Sequence, residues 1–275
     1  MKILITGANG YIGSALVKAL QDEHEVTPLT RQDCDLCNWD EVTDFFYKKS
    51  QEEIYYDLVI HTAAEGGSRL KIDEADVFYN NIKMFHHIWE YRTIAYSRLI
   101  QISSGAENRR VWNENENLKY YGFSKKIINE LTRSSDITQT VKVYGLFDEN
   151  ELDTRFIKSN IKRYINKQKM WVDNGYRKFD FFYMPDFIKI IKYLIDNPGI
   201  EKVSCVYKDM VTLDKVADII NDLDEWEVGR TSWEKRLEDY PAKDYIERVR
   251  SVLDLDFIGL EQGIKEVYQK LKNED

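Results

Sequence analysis

The chain has 275 residues and a mass of 32.6 kDa, with 43% hydrophobic and 32% charged residues. A chain this long removes roughly three quarters of its unfolded surface from water and needs no disulfide or metal staple. Its net charge of −9 and pI of about 5.2 argue against nucleic acid, because a phosphate-backbone binder presents a basic face. No apolar run approaches the roughly 18 residues of a membrane span. Met1-Lys2-Ile3-Leu4-Ile5 enters a strand at once, without a signal-peptide pattern. Three cysteines and four histidines leave little material for a metal cluster. The expectation is an acidic cytoplasmic α/β protein with no membrane, nucleic-acid or metal partner.

Lys2 to Thr6 reads as a strand, followed by Gly7-Ala8-Asn9-Gly10-Tyr11-Ile12-Gly13 and a helix from Ser14 to Leu20. Strands follow at Glu25–Leu29, Asp57–His61, Arg98–Ser103 and Ile137–Val143. Between them lie helical patterns at Asp40–Lys48, Asp73–Tyr91 and Tyr121–Leu131. Strand and helix alternate over residues 1–145, which predicts a doubly wound parallel sheet. The rhythm then changes. Residues 146–275 read as a smaller α/β lobe, built onto the first and with possible chain exchange between the two. Helices are expected at Arg155–Ile165, Asp186–Ile195, Leu213–Leu223 and Leu260–Leu271. Short strands are expected at Lys169–Val172, Phe179–Tyr183 and Val203–Tyr207.

The glycine turn carries the first chemistry. Gly7 allows a tight turn, Gly10 lets backbone approach a pyrophosphate, and Gly13 permits close helix–sheet packing. The helix N-terminus then faces the phosphate charge. The end of the second strand selects the cofactor. An acid there binds a ribose 2′-hydroxyl, whereas an arginine suits a 2′-phosphate. Here Leu29 is followed by Thr30-Arg31, which favours NADP over NAD. Asp33 or Asp35 would restore NAD if the loop folded back. Tyr121 and Lys125 are four residues apart on a helix start and share a face. A lysine ammonium favours the phenolate of a nearby tyrosine, which brings its proton transfer nearer neutral pH. Ser104 lies just past a strand's carboxyl end, where such sheets bind ligands.

These motifs in this order resemble the extended short-chain dehydrogenase/reductase family, in its NAD(P)-dependent nucleotide-sugar epimerase/dehydratase group. The matching pieces are Gly7-x-x-Gly10-x-x-Gly13, Asp35-Leu36, His61-Thr62-Ala63-Ala64, Asn81-Ile82, Ser103-Ser104, Tyr121-x-x-x-Lys125 and Phe182-Tyr183-Met184-Pro185-Asp186. The resemblance implies a Rossmann-type domain with a C-terminal substrate lobe. It implies that Gly7, Asn9, Gly10, Tyr11, Ile12 and Gly13 cradle the pyrophosphate. Asp35 and Leu36 would flank the adenine, while Thr62, Ala63 and Ala64 would line the cofactor path; Arg31, Asn81 and Ser103 are also expected to bind the cofactor. Lys125 would hold the nicotinamide ribose, Tyr121 would be the acid/base, and Ser104 would hold the substrate oxygen. Arg155, Phe156 and Arg177 would contact a nucleotide-diphosphate sugar. The family habit also implies a homodimer through the long helix and the Tyr121 helix.

Departures from the family pattern narrow the reaction. The dehydratases of this group carry an Asp-Glu pair after the catalytic hydroxyl, where this chain has Gly105-Ala106 with Glu107 one place late. Epimerising GDP-fucose synthases use a Cys and a His, whose places fall on Ala106 and near Thr154. Reduction of a 4-keto nucleotide sugar by NADPH is the reading this leaves first. A 4-epimerase with retained NAD and a non-catalytic dinucleotide sensor are the alternatives. The family arginine before the Phe-x-Tyr strand falls on Phe179, so Arg177 or Lys178 would take its phosphate work. Residues between Ser104 and Tyr121 are few, which predicts a reduced pocket wall. Cys34-x-x-Cys37, His61 and His86-His87 read as structural.

Overall fold

The computed structural model describes residues 1–68, 70–108, 118–233 and 255–273, with backbone alone at 232 and 233. The short stretch before Tyr121 lies mostly outside the described residues. The chain divides into two compact units. Met1–Lys142 with Asp196–Val203 forms the first, and Val143–Ile195 with Ser204–Asp275 the second.

The first unit is built on β1 (Lys2–Thr6), β2 (Glu25–Leu29), β3 (Leu58–His61), β4 (Leu99–Ser104), β5 (Thr138–Val143) and β10 (Lys202–Ser204). They form one six-stranded sheet in the order β10-β5-β4-β3-β1-β2. The pairs β1/β2, β1/β3 and β3/β4 are parallel. β3 and β4 are buried along their whole length, as strands covered on both faces must be. Their helices are α1 (Tyr11–Leu20), α2 (Trp39–Gln51), α3 (Ala75–Glu90) and α4 (Lys119–Thr132). Asn38 caps α2 by accepting from Asp40 N at 3.1 Å. Leu4, Val59, Phe46, Met84, Phe85 and Ile88 lie in one buried cluster of this unit. Residues 196–203 join it because β10 runs beside β5, with Thr140 N donating to Glu201 O at 2.8 Å.

The second unit holds β6 (Gly145–Phe147), α5 (Phe156–Ile165), β7 (Met170–Asp173), β8 (Lys178–Phe179), β9 (Phe181–Tyr183), α6 (Met184–Asp196), β11 (Val211–Thr212), α7 (Leu213–Asn221), β12 (Arg230–Trp233) and α8 (Leu260–Lys272). Its strands pair two by two, β6/β9 and β7/β12 parallel and β8/β11 antiparallel. The single strand expected over Phe179–Tyr183 is two pieces. Asp180, only 2% exposed, separates a strand that pairs with β11 from one that pairs with β6. The strand expected to reach Tyr207 ends at Ser204. Pro185 sits in the first turn of α6, where its missing N–H costs nothing.

Asp186 ties this unit together. It is fully buried and accepts from Tyr207 Oη at 2.7 Å, Ile258 N at 2.8 Å and Gly259 N at 2.9 Å. These bonds anchor the residues that lead into α8. Asp186→Ala should cost about 3 kcal/mol of unfolding free energy, because three part-buried donors lose a charged acceptor at once. A urea melt reads this directly, and an unchanged midpoint would show that the anchor contributes nothing.

Candidate active site

Gly7 leaves β1 with φ +66°, and a Cβ there would lie 2.7 Å from Ala63 Cα. At Gly13 a Cβ would collide with the Gly7 carbonyl oxygen. Gly10 N donates to that same carbonyl at 2.9 Å. Gly10 is the extended N-cap of α1, with no side-chain cap bond and no acid in the first turn. Tyr11, Ile12 and Gly13 form that turn, so its dipole is left for an anion.

A cavity of about 330 Å³ opens here. Gly7, Asn9, Gly10, Arg31, Asp35, Leu36, Thr62, Ala63 and Ala64 all line it. The structure thus brings together nine of the residues expected to hold the cofactor. Leu29, Thr30, Cys34 and Met84 complete the lining. Apolar walls beside a bare helix N-terminus suit an adenine joined to a pyrophosphate, so the residues present fit a dinucleotide.

At the rim, Arg31 forms an ion pair with Glu65. Glu65 also accepts from Asn80 Nδ2 at 2.8 Å. Asp33 turns back on its own loop and accepts from Thr30 N at 3.0 Å and Thr30 Oγ1 at 2.6 Å. Burial pushes the Cys34 thiol up to about 12, with help from the acids Glu41, Asp35 and Asp33.

The second cluster lies at the carboxyl end of β4. Ser104 caps the 3-10 turn Gly105–Glu107, its Oγ accepting from Ala106 N at 3.1 Å. Its own hydroxyl proton is therefore directed elsewhere. Ser103 is 1% exposed and donates to Glu107 Oε2 at 2.7 Å. Lys125 is 3% exposed and its Nζ donates to Ile102 O at 2.9 Å. That ammonium stands 5.7 Å from the centre of the Tyr121 ring. Burial draws the Lys125 pKa down to about 8, against a smaller upward pull from Glu107. His61 is buried on β3 with Nδ1 2.9 Å from Thr6 Oγ1. Burial first, and the Lys125 charge second, push its pKa down to about 3, so it stays neutral.

Asn81 is 2% exposed and bonds to its protein neighbours. Its Oδ1 accepts from Glu65 N at 2.8 Å, and its Nδ2 donates to Glu65 O at 3.1 Å and Ser124 Oγ at 3.0 Å. It pins the loop after β3 to α4. In that loop Gly67, at φ +82°, packs its backbone on the Tyr121 ring, where a Cβ would lie 3.1 Å from Cζ.

Within the second unit, Arg155 is the N-cap of α5 and lies 3.8 Å from the buried Glu151 carboxylate. Phe156 stacks on Phe181 at 5.8 Å, Phe181 on Phe179 at 5.4 Å, and Arg177 lies 4.8 Å over Phe179. The residues expected to meet substrate thus share one aromatic ladder or flank it.

Residues 3–205 match the model of the NAD dependent epimerase/dehydratase family. The chain belongs to that family. It is 23% identical to the CDP-abequose synthase of Yersinia pseudotuberculosis over an alignment of 261 residues that covers 89% of this chain and 92% of that one. The GDP-mannoheptose C4 reductase of Campylobacter jejuni, with NADP bound, superposes with a TM-score of 0.81 at 16% identity over 98% of both chains. The UDP-glucuronic acid 4-epimerase of Bacillus cereus, with UDP-glucuronic acid and NAD, superposes with a TM-score of 0.75 at 16% identity over both whole chains. These likenesses share one α/β fold built on the central six-stranded sheet. No described helix of this family member is long and apolar enough to cross a membrane.

Sequence reasoning passed over Glu65, Gly67 and Lys142. Glu65 and Gly67 follow the His61-Thr62-Ala63-Ala64 motif closely, and that nearness was the available signal. Lys142, a charge inside a strand buried at neighbouring positions, was a signal of a buried partner. The cradle yields a direct test in this family member. Gly13→Ala should weaken NADPH binding by about 100-fold or more, because the first turn of α1 must move off the pyrophosphate site. Fluorescence titration with NADPH measures it, and retained affinity would show that the turn is not the cradle.

Proposed function

We propose that this protein is an NADPH-dependent reductase of a 4-keto nucleotide-diphosphate sugar. The observation that supports the reading is a buried Lys125 that donates to Ile102 O on the strand ending in Ser104 and stands 5.7 Å from the Tyr121 ring, in the unit that carries the cavity beside the glycine turn. Bound NADPH supplies the hydride for the sugar carbonyl. The Ser104 hydroxyl donates to the carbonyl oxygen, since its lone pair already accepts from Ala106 N. Tyr121 gives its proton to the developing alkoxide, and the Lys125 ammonium stabilises the phenolate left behind. The 3-10 turn after Ser104 presents no acid pair to the substrate, because Glu107 bonds Ser103, Asn129 and Lys142. This supports reduction over dehydration.

Arg31 on the adenosine cavity supports NADP. Arg155, Phe156 and Arg177 are the side chains proposed to meet the nucleotide diphosphate. Arginine forks suit its phosphates, and the Phe156–Phe181–Phe179 ladder suits a base. The protein is proposed to act in the cytoplasm, in keeping with its three free thiols. It is proposed to pair with a second copy through α3 and α4, where Tyr79, Phe123 and Leu131 are exposed.

One observation favours a second reading, the 4-epimerase with retained NAD. Glu65 already occupies Arg31 and places a carboxylate at the same rim. The cofactor that co-purifies separates the two, together with the presence or absence of net NADPH consumption.

Tyr121→Phe should cut turnover by about 100-fold or more while leaving NADPH affinity within about twofold. NADPH oxidation with UDP-, GDP-, CDP- and dTDP-linked 4-keto sugars measures it, and near-normal turnover would remove Tyr121 from its role. The pH profile is a separate check. A lysine whose folded pKa is drawn down to about 8 is charged below that pH and neutral above it. Reduction requires the charged lysine and the protonated tyrosine, so kcat/KM should be level below about pH 8 and fall above it. A profile rising through that range would contradict the assignment.

A further inference from the structure

Arg31 stands just past β2, where a dinucleotide fold meets a 2′-phosphate, yet it is already paired. Its guanidinium forms an ion pair with Glu65, on the loop after β3. The two partners are not equally free. The Arg31 side chain is 66% exposed and that of Glu65 only 28%. Glu65 Oε2 accepts from Asn80 Nδ2 at 2.8 Å. Its backbone N donates to Asn81 Oδ1 at 2.8 Å, and its carbonyl accepts from Asn81 Nδ2 at 3.1 Å. Asn81 is buried and bonds in turn to Ser124 on α4. Two adjacent residues of α3 therefore hold Glu65 by main chain and side chain, without help from the arginine. The anion is the fixed member of the pair, and the cation is the movable one.

The acids of the β2 loop are held in other ways. Asp33 accepts from Thr30 N and Thr30 Oγ1, and Asp35 Oδ1 accepts from Cys37 N at 3.0 Å. Of these three acids, Glu65 is the one paired with Arg31. Arg31 also lines the cavity that the glycine turn opens, as does Ala64 next to Glu65. A ligand in that cavity and the Glu65 carboxylate thus draw on the same guanidinium donors. A 2′-phosphate at Arg31 takes a bidentate pair from the carboxylate and leaves it close by as a like charge. A ribose 2′-hydroxyl carries no charge and provokes no such contest. Discrimination between two ligands is a difference of affinities, and a fixed repulsion changes it as surely as an attraction does.

We propose that Glu65 is a specificity-determining residue for the cofactor, an internal anion that competes with the 2′-phosphate for Arg31. The proposal rests on the reading of the cavity as a dinucleotide site. Glu65 narrows the preference for NADPH over NADH that Arg31 alone would give. Glu65→Gln keeps the size of the side chain and an oxygen for Asn80, and removes the charge. It should tighten NADPH binding by about fivefold and leave NADH binding within about twofold of wild type. Arg31→Met should weaken NADPH binding by about tenfold and leave NADH within about twofold. With Arg31 gone the carboxylate has nothing to withhold, so adding Glu65→Gln to Arg31→Met should gain about twofold or less.

The test is fluorescence titration of the wild type, the two single variants and the double variant with NADPH and with NADH, in the absence of substrate. The expected result is a gain for NADPH alone in Glu65→Gln that shrinks when Arg31 is also replaced. Unchanged NADPH affinity in Glu65→Gln overturns the proposal. So do equal shifts of NADPH and NADH, which would mark a general charge effect. A full gain in the Arg31→Met background, or unchanged NADPH affinity in Arg31→Met itself, overturns it as well, because the arginine would then not be the contested group. A wild type that binds neither dinucleotide defeats the reading of the cavity and the proposal with it. A wild type that binds NADPH, with Glu65→Gln unaltered, defeats the proposal and leaves that reading standing.

Discussion

The backbone of α1 approaches β1 and β3 so closely that no side chain fits between them. A Cβ on Gly7 would lie 2.7 Å from Ala63 Cα, and one on Gly13 would collide with the Gly7 carbonyl. Thr62 Oγ1 reinforces the contact by donating to Thr6 O at 2.7 Å. The ends of two strands and the start of one helix thereby become a single rigid corner. The floor of the cavity is backbone, and the helix has no side-chain cap of its own. On the proposed reading, a chain of net charge −9 could hold a polyanion here because peptide dipoles would meet its phosphate charge locally, and their fixed partial charges do not depend on the sign of the distant surface.

That corner leaves the other end of the cofactor path to side chains, where burial sets the chemistry. A lysine at 3% exposure resists charging, and a histidine in the same layer resists it more. His61 stays neutral because burial, and then the Lys125 charge, push its pKa down. Burial also draws the Lys125 pKa down, against a smaller upward pull from Glu107. One buried carboxylate thus does two things at once. It accepts from Ser103 and Asn129 and pairs with Lys142, and it pulls the Lys125 pKa up against burial. A buried pair of this kind is weak evidence of stability, because desolvation offsets the attraction. Its value is geometric and electrostatic.

The alternation of strands and helices in the first unit was legible because each element carries its own period. The observed ends of β1 and β2 coincide with the pattern, and α2, α3 and α4 differ from it by a few residues at their ends. The second unit was less legible. Its strands are short, and Gly145–Phe147, Val211–Thr212 and Arg230–Trp233 carry too few residues to show a period. The glycine turn was legible because its three residues lie close together in sequence. The Glu107–Lys142 and Arg31–Glu65 pairs were not, because each joins residues about 35 positions apart. A charge within a buried strand announces that a partner exists without saying which one.

The same limit bears on cofactor choice. The sequence rule looks only at the end of β2, where Arg31 stands without an acid beside it. In three dimensions the electrostatics of that rim come equally from the loop after β3, which carries Glu65. Arg31 is 66% exposed, so its pair with Glu65 is worth about 1 kcal/mol at most. A 2′-phosphate brings nearly two negative charges and three acceptors, and outcompetes one carboxylate for a planar guanidinium. It must nevertheless approach with Glu65 still held nearby by Asn80. The preference for a 2′-phosphate is therefore a difference between two attractions to one arginine, reduced by a repulsion that the β2 sequence alone does not reveal. On the proposed reading, such a rim would discriminate modestly between the two dinucleotides, with the carboxylate on the β3 loop setting the margin.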